Sequence, residues 1–147
     1  MMRILIINGP NLNLLGEREP DIYGSETLQD INDWISAHDS VQGIDLTFYQ
    51  SNHEGQIIDF LHAHRHRANG VVLNAGALTH YSYALADAIT ACQIPTVEVH
   101  ISDIHKREEF RKHSVVEPVA LKQISGHGKQ GYIDAIEILT KPNDSSE

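Results

Sequence analysis

The segment Arg3–Asn8 reads Arg-Ile-Leu-Ile-Ile-Asn, four consecutive aliphatic side chains closed by an amide. A short unbroken apolar run of this kind is typical of a strand that is covered on both faces of a parallel sheet. Four further runs of strand-like composition follow it, at residues 44–50, 70–73, 96–100 and 119–124. Aliphatic residues at helical spacing occupy the intervals and predict helices over residues 25–40, 56–67, 81–91 and 130–140.

Strands that alternate with helices pair in parallel and are joined by right-handed crossovers. The expected fold class is therefore α/β, a flavodoxin-like open sandwich in which a five-stranded parallel sheet carries helices on both faces. Thr27 and Asp30 stand three residues apart at the start of the first long helix, where they can form a variant capping box.

Length and composition narrow the class of protein. The 147 residues suffice for one domain, which we expect at residues 1–141, followed by a polar tail at 142–147. Eleven basic against twenty acidic residues give a formal net charge of −9, which argues against broad binding to nucleic acid or membrane surfaces. Any anionic ligand must therefore be held by a local cluster of arginines.

The single cysteine, Cys92, excludes an internal disulfide. The short N-terminal apolar run predicts a cytoplasmic protein without a signal peptide.

The connection after the first strand is unusually long. Residues 9–24 form a loop of about sixteen residues, whereas connections in α/β units usually have about 2–6. Long loops in compact domains are usually functional lids or disordered segments. Both interpretations remain open from loop length alone.

Polar side chains follow every predicted strand. In an open parallel sheet, ligands bind outside the carboxyl ends of the strands, so these residues are expected to share one rim. Loops are polar in any protein, which explains part of this pattern without a function. The rim residues are Asn8, Asn11, Asn13, Arg18, Tyr23, Ser51, Asn52, His53, Glu54, Asn74, Thr79, His80, Glu98, His100, Ser102, Asp103, Ser125 and His127.

Two polar side chains interrupt the fourth predicted strand, Glu98 and His100. Since they are two residues apart on a strand, they point to the same face. A carboxylate in a buried strand is costly unless it is paired, and beside an imidazole it can fix the tautomer and favour the protonated ring. The pair is therefore a candidate general acid. The alternative is a half-exposed pair at a sheet edge that has no catalytic role.

Tyr23 lies in the long loop together with Arg18. Free tyrosine has a pKa of about 10, so a tyrosine base needs cations nearby, and guanidinium groups in a site closed from water can supply them. Arg107 and Arg111, four residues apart after the fourth strand, are further cations that can approach this rim. The alternative is that Tyr23 only anchors the loop.

Two other chemistries find little support. Residues 8–13 (Asn-Gly-Pro-Asn-Leu-Asn) lack the glycine spacing of phosphate-binding loops. His62, His64 and His66 alternate along a predicted helix, where residues two apart do not share a face. The three rings therefore cannot converge on one metal ion, and a solvated helix face is the favoured interpretation.

Six blocks of the sequence resemble the type II 3-dehydroquinate dehydratases. They follow the family's order along nearly the whole chain: residues 3–24 (RILIINGPNLNLLGEREPDIYG), 50–55 (QSNHEG), 73–80 (LNAGALTH), 97–102 (VEVHIS), 107–114 (REEFRKHS) and 130–132 (QGY). The family converts 3-dehydroquinate to 3-dehydroshikimate by an anti elimination of water through an enolate, without a metal, a Schiff base or any cofactor. The resemblance implies that reaction here, in shikimate biosynthesis or alternatively in quinate breakdown.

The resemblance also implies roles for five catalytic residues. Tyr23 would remove the proton alpha to the ketone, and Arg18 would stabilise its phenolate. Asn11 would hold a water against the developing enolate oxygen. His100 would protonate the departing hydroxyl, and Glu98 would orient His100. Residues 16–24 would form a lid over the site.

Binding of the substrate and assembly of subunits are implied in the same way. Asp87 falls at the position of an aspartate that reaches a neighbouring subunit's site in this family, which typically forms dodecamers built from trimers. Residues 115–117 (Val-Val-Glu) depart from the family's usual Tyr-x-Ser. A flavodoxin-like ligand-binding module is the alternative, but it would need a phosphate loop or an acidic cluster that the rim does not provide. The residues expected to hold the substrate are Asn74, His80, Ile101, Ser102, Arg107 and Arg111.

Overall fold

The computed structural model describes residues 1–17 and 19–141, and of Tyr23 it describes the backbone only. Five strands are present in these ranges: β1 (Arg3–Asn8), β2 (Asp45–Gln50), β3 (Gly70–Asn74), β4 (Thr96–His100) and β5 (Lys122–Ser125). The α-helices there are α1 (Pro20–Tyr23), α2 (Leu28–Ala37), α3 (Glu54–His64), α4 (Tyr83–Cys92), α5 (Glu109–Lys112) and α6 (Gln130–Thr140). None of the helices in the described ranges has the length and apolar character needed to span a bilayer.

The strands form one sheet in the order β2-β1-β3-β4-β5, and every neighbouring pair is parallel. This is the strand order of flavodoxin-like sheets, so the predicted fold class is confirmed. The chain reverses its direction across the sheet at β1, which lies between β2 and β3. The register sets Asn8 beside Asn74 at the carboxyl ends of β1 and β3, which places two amides together at the rim.

Alternation along β1 divides the apolar core into two layers. Ile4 and Ile6 pack with residues of α2 and α6, whereas Leu5 and Ile7 pack with residues of α3 and α4. All four side chains are buried, as the continuous apolar run predicts for a strand covered on both faces. The sheet therefore carries helices on both faces.

The start of α2 confirms the predicted capping box. Oγ1 of Thr27 accepts from the backbone N–H of Asp30, and the Asp30 carboxylate accepts from the backbone N–H of Thr27, each at 3.0 Å. The helix is shorter than the predicted 25–40, because it begins after its cap and a separate 3-10 turn, Asp39–Val41, follows it.

The fifth strand was predicted too early, at residues 119–124. Glu117–Val119 instead form a 3-10 turn that includes Pro118 near its start. The backbone N–H of Ala120 is used by this turn, since it donates to the carbonyl of Val116. The strand therefore begins at Lys122, the first residue that is paired in register with β4.

Candidate active site

A cavity of about 100 Å³ lies at the carboxyl ends of β1, β3 and β4. This is the rim at which open parallel sheets bind their ligands. The cavity brings together side chains from loops that are far apart in the sequence. Among its lining residues are eight of the predicted site residues: Asn11, Asn74, His80, His100, Ile101, Ser102, Arg107 and Arg111.

His100 and Glu98 form a buried pair. Nε2 of His100 lies 2.5 Å from Oε2 of Glu98, and the exposed fractions of the two side chains are 6% and 0%. An ionised carboxylate only accepts hydrogen bonds, so Nε2 carries a proton and donates it. Nδ1 is then the ring nitrogen left for a ligand in the cavity. The alternative of a half-exposed edge pair is wrong, because β4 lies inside the sheet and both side chains are buried.

Glu98 stays ionised although it is fully buried. Its Oε2 also accepts from Oγ1 of Thr79 at 2.6 Å and from Oγ of Ser114 at 2.7 Å, and its Oε1 accepts from Nε2 of Gln123 at 3.2 Å. Burial by itself raises the pKa of a carboxyl group. The hydrogen bonds that Glu98 accepts, first among them the one from His100, outweigh burial and hold the pKa of Glu98 below its ordinary value.

His80 is the second histidine of the cavity. Its Nδ1 lies 2.7 Å from the backbone carbonyl oxygen of His113, and since a carbonyl only accepts, Nδ1 carries the proton. Burial lowers the pKa of His80, and the charges of His100 and Arg111 act in the same direction. His80 is therefore a neutral ring near pH 7, and its Nε2 can accept a hydrogen bond from a ligand hydroxyl.

A buried chain of hydrogen bonds fixes the amide of Asn74. The backbone N–H of Gly76 donates to Oδ1 of Asn74 at 3.2 Å, so Nδ2 is the atom that faces Oη of Tyr132 at 3.1 Å. Tyr132 in turn donates to Oδ1 of Asn8 at 2.5 Å. Full burial raises the pKa of Tyr132, which therefore stays protonated and acts as a hydrogen-bonding group.

The loop after β1 is held in shape by the end of β2. Asn11 has a left-handed backbone with φ of 70°, and its N–H donates to Oδ1 of Asn52 at 2.9 Å. Nε2 of Gln50 donates to that same oxygen and to the carbonyl of Gly9. Glycine is required at position 9, because a Cβ there would lie 2.4 Å from the carbonyl oxygen of Ala75. These contacts bring Asn11 to the wall of the cavity.

The two arginines of the cavity each meet an exposed glutamate. Nη2 of Arg107 lies 3.9 Å from Oε2 of Glu19. Nε of Arg111 lies 2.8 Å from Oε2 of Glu108, although its N–H does not point at that oxygen. A hydrogen bond from its own backbone, and then the charges of the two arginines, lower the pKa of Glu108. Ion pairs with exposed glutamates are weak, so a ligand carboxylate can compete for both guanidinium groups.

Of the other predicted site residues, one lies away from the cavity and the side chains of two are not described. Asp87 is exposed on α4 and does not line the cavity of its own chain. Arg18 and the side chain of Tyr23 lie outside the described residues. In the part of the chain that the structure describes, no group of three or more histidine, cysteine or acidic side chains could hold a metal ion.

Three polar side chains support the site without having been assigned a role from the sequence. Thr79 was placed at the rim, while Ser114 and Tyr132 appeared only inside the blocks 107–114 and 130–132. A carboxylate in a buried strand does signal that donors must surround it. The residues that supply these donors are set by contacts between distant parts of the chain, such as that of Ser114 with Glu98.

The family model, the relatives and the solved structure that match this chain all point to one family. The model of the family "Dehydroquinase class II" matches residues 2–140. The chain is 55% identical over 139 residues to the 3-dehydroquinate dehydratase of Bacillus pumilus, covering 95% of each protein. It is 51% identical over 139 residues to that of Halothermothrix orenii, covering 95% of this chain and 94% of that protein. The crystal structure of the type II dehydroquinase from Butyrivibrio crossotus has a TM-score of 0.92 at 48% identity, and the match covers 95% of this chain and 98% of that one.

Proposed function

Because the chain belongs to the dehydroquinase class II family, it removes water from 3-dehydroquinate, and we propose that His100 delivers the proton to the departing hydroxyl. The reaction gives 3-dehydroshikimate, a step of the shikimate pathway, and makes the protein a hydro-lyase. The observation that carries the assignment of His100 is its buried hydrogen bond to Glu98 at the wall of the cavity.

The hydrogen bond to Glu98 gives the two nitrogens of His100 different roles: Nε2 binds Glu98, and Nδ1 acts on the substrate. Nε2 keeps its proton throughout, because the carboxylate it faces is ionised. Nδ1 would give a proton to the hydroxyl, which leaves the ring neutral while water departs. Glu98 stabilises the imidazolium before this step and holds the ring in place during it.

A base on the other side of the ring must remove the proton alpha to the ketone, and Tyr23 is our candidate for it. The electron pair of the C–H bond moves to the ketone oxygen as an enolate and returns when the hydroxyl leaves. Arg18 would stabilise the phenolate of Tyr23, and residues 16–24 would close over the site as its lid. The ion pair of Glu19 with Arg107 supports this proposal, because it brings the segment to the edge of the cavity.

The remaining wall of the cavity suits the polar groups of a small carboxylated ring. Arg111 and Arg107 supply positive charge for the carboxylate in a chain that is acidic as a whole. Asn74, His80 and the Ile101–Ser102 segment would hold the hydroxyls. Asn11 would hold a water against the enolate oxygen.

Assembly of subunits would complete the site. We propose a homododecamer built from trimers, in which Asp87 of one subunit reaches the cavity of the next, and a cytoplasmic location. The exposure of Asp87 on α4, away from its own chain's cavity, supports this role. Light scattering after gel filtration tests the assembly, and a monomer with full activity would contradict it.

The assay for the reaction follows from its product. Elimination places a carbon–carbon double bond in conjugation with the ketone, so absorbance rises as 3-dehydroquinate is consumed. Purified protein should produce this rise without added metal, and Tyr23→Phe should abolish it in a protein that remains folded. Activity of Tyr23→Phe within tenfold of the parent would refute the assignment of the base.

A further inference from the structure

We propose that the hydroxyls of Thr79 and Ser114 are positioning groups for the proton donor, because they hold the Glu98 carboxylate that orients His100. The inference rests on the proposed role of His100 and extends it to two residues that are not expected to touch the substrate. Both side chains are absent from the wall of the cavity and lie behind it.

Oε2 of Glu98 is the point at which three donors meet. Thr79 donates from 2.6 Å, Ser114 from 2.7 Å and Nε2 of His100 from 2.5 Å. Thr79 is 0% exposed and Ser114 is 8% exposed, so water does not compete freely for these bonds. Gln123 occupies the other carboxylate oxygen from the neighbouring strand β5.

The donor in each of these hydrogen bonds follows from the chemistry of the groups. An ionised carboxylate can only accept, so each hydroxyl donates its single proton to Glu98. The two hydroxyl oxygens lie 3.0 Å apart because both donate to the same carboxylate oxygen, and neither has a second proton for the other. With donors on both oxygens, the carboxylate has one orientation in which all of them are satisfied.

Backbone N–H groups fix the Ser114 hydroxyl and also join its segment to Thr79. Oγ of Ser114 accepts from the N–H groups of Val116 and Glu117, at 3.2 and 3.1 Å. The carbonyl of Thr79 accepts from the N–H of Val115 at 2.7 Å. The segment that carries Ser114 is therefore joined to the residue before His80, and the two hydroxyls that hold the carboxylate come from backbone segments that are bonded to each other.

Loss of either hydroxyl should affect one half of the reaction. The carboxylate would keep His100 as a partner but would gain freedom to rotate, and the imidazole would follow it. Delivery of a proton to the leaving hydroxyl needs the correct position of Nδ1. Removal of the alpha proton takes place on the opposite side of the substrate ring and does not use this pair.

The test compares four variants at buried hydroxyls of the full-length protein, together with His100→Ala. Thr79→Val replaces the hydroxyl by a methyl of similar size, and Ser114→Ala removes the second hydroxyl. Thr79→Ser keeps the hydroxyl and serves as the rescue. Thr96→Val is the matched control, because Thr96 is 2% exposed at the start of β4 and donates to a backbone carbonyl, that of Ile94.

For each variant, kcat and KM come from product absorbance, exchange of the alpha proton from NMR in deuterated water, and stability from thermal unfolding. A hydrogen bond to a charged group corresponds to a factor of about ten or more. We therefore expect Thr79→Val and Ser114→Ala to lower kcat about tenfold or more, with KM and the exchange rate within about threefold of the parent. Thr79→Ser should restore most of kcat, and Thr96→Val should lose stability without losing kcat.

Two outcomes would overturn the inference. One is that Thr79→Val and Ser114→Ala keep kcat within twofold of Thr96→Val. The other is that they lose exchange and elimination in the same proportion, as a general loss of structure would produce. His100→Ala separates this inference from the proposed function. If that variant exchanges the alpha proton but fails to eliminate, while the hydroxyl variants behave like the control, the inference alone fails. If it eliminates at the parent's rate, the role of His100 fails and the inference fails with it.

Discussion

Tyr132→Phe removes one oxygen atom from the interior of the protein and should weaken both its stability and its binding of substrate. The phenol oxygen accepts from Nδ2 of Asn74 and donates to Oδ1 of Asn8. Both amides are buried, with exposed fractions of 3% and 1%, so water does not freely replace the phenol as their partner. A buried polar group left without its partner costs about 1–3 kcal/mol, and two such groups predict a loss of about 2–4 kcal/mol once some relaxation is allowed.

The second effect of Tyr132→Phe is on the amide of Asn74. Only the N–H of Gly76 would still fix it, so the amide could rotate and present the wrong atom to the substrate. We expect KM to rise about tenfold, which corresponds to the loss of about one well-made hydrogen bond.

Tyr49→Phe is the matched control for this substitution. Its ring stacks on Phe60, and its hydroxyl makes no hydrogen bond within the described residues. Unfolding in urea at equal protein concentrations measures stability, and product absorbance measures KM. If Tyr132→Phe loses no more stability than Tyr49→Phe and keeps the parent's KM, the hydrogen-bonded chain does not hold Asn74 and the reasoning is refuted.

Three further substitutions test other parts of the structure. Glu98→Gln should destabilise the protein at pH 7. The difference in free energy of unfolding from the parent should shrink as the pH falls below 4.5, because a carboxyl group with a lowered pKa stabilises the fold fully only above its ordinary pKa. An equal difference at pH 7 and pH 4 in urea unfolding would contradict this. Gly9→Ala should lower the free energy of unfolding by about 1–3 kcal/mol and reduce turnover, because the new Cβ would lie 2.4 Å from the carbonyl oxygen of Ala75. Unchanged thermal unfolding would show that this close approach does not constrain the residue at position 9. Arg111→Lys should raise KM about tenfold with little change in kcat, because lysine keeps the charge and loses the planar fork; an unchanged KM would mean that the carboxylate is bound elsewhere.

The features that could be predicted from the sequence are those that depend on local pattern. The apolar run of β1 predicts a strand covered on both faces, and Thr27 with Asp30 predicts the helix start, because each signal lies within a few residues. The polar residues inside β4 also mark the site, since a carboxylate such as Glu98 cannot be buried without donors.

The supporting residues could not be predicted because their partners are distant in the chain. Tyr132 and Asn8 are separated by 124 positions, and Ser114 and Glu98 by 16. On helix α6, Tyr132 looks like one more apolar residue of the core. The start of β5 was missed for a related reason, because the turn at Pro118 uses the backbone N–H of Ala120 before the strand begins.

A structure of the protein with substrate or product bound tests the central claim most directly, which is that His100, oriented by Glu98, gives its proton to the leaving hydroxyl. The account predicts Nδ1 of His100 at hydrogen-bond distance, about 2.7–3.2 Å, from the position of that oxygen, with Nε2 still on Glu98. It also predicts the Tyr23 oxygen on the opposite side of the ring. A complex in which Nε2 leaves Glu98 to contact the ligand, or in which Nδ1 lies far from the leaving oxygen with the site fully occupied, would contradict it.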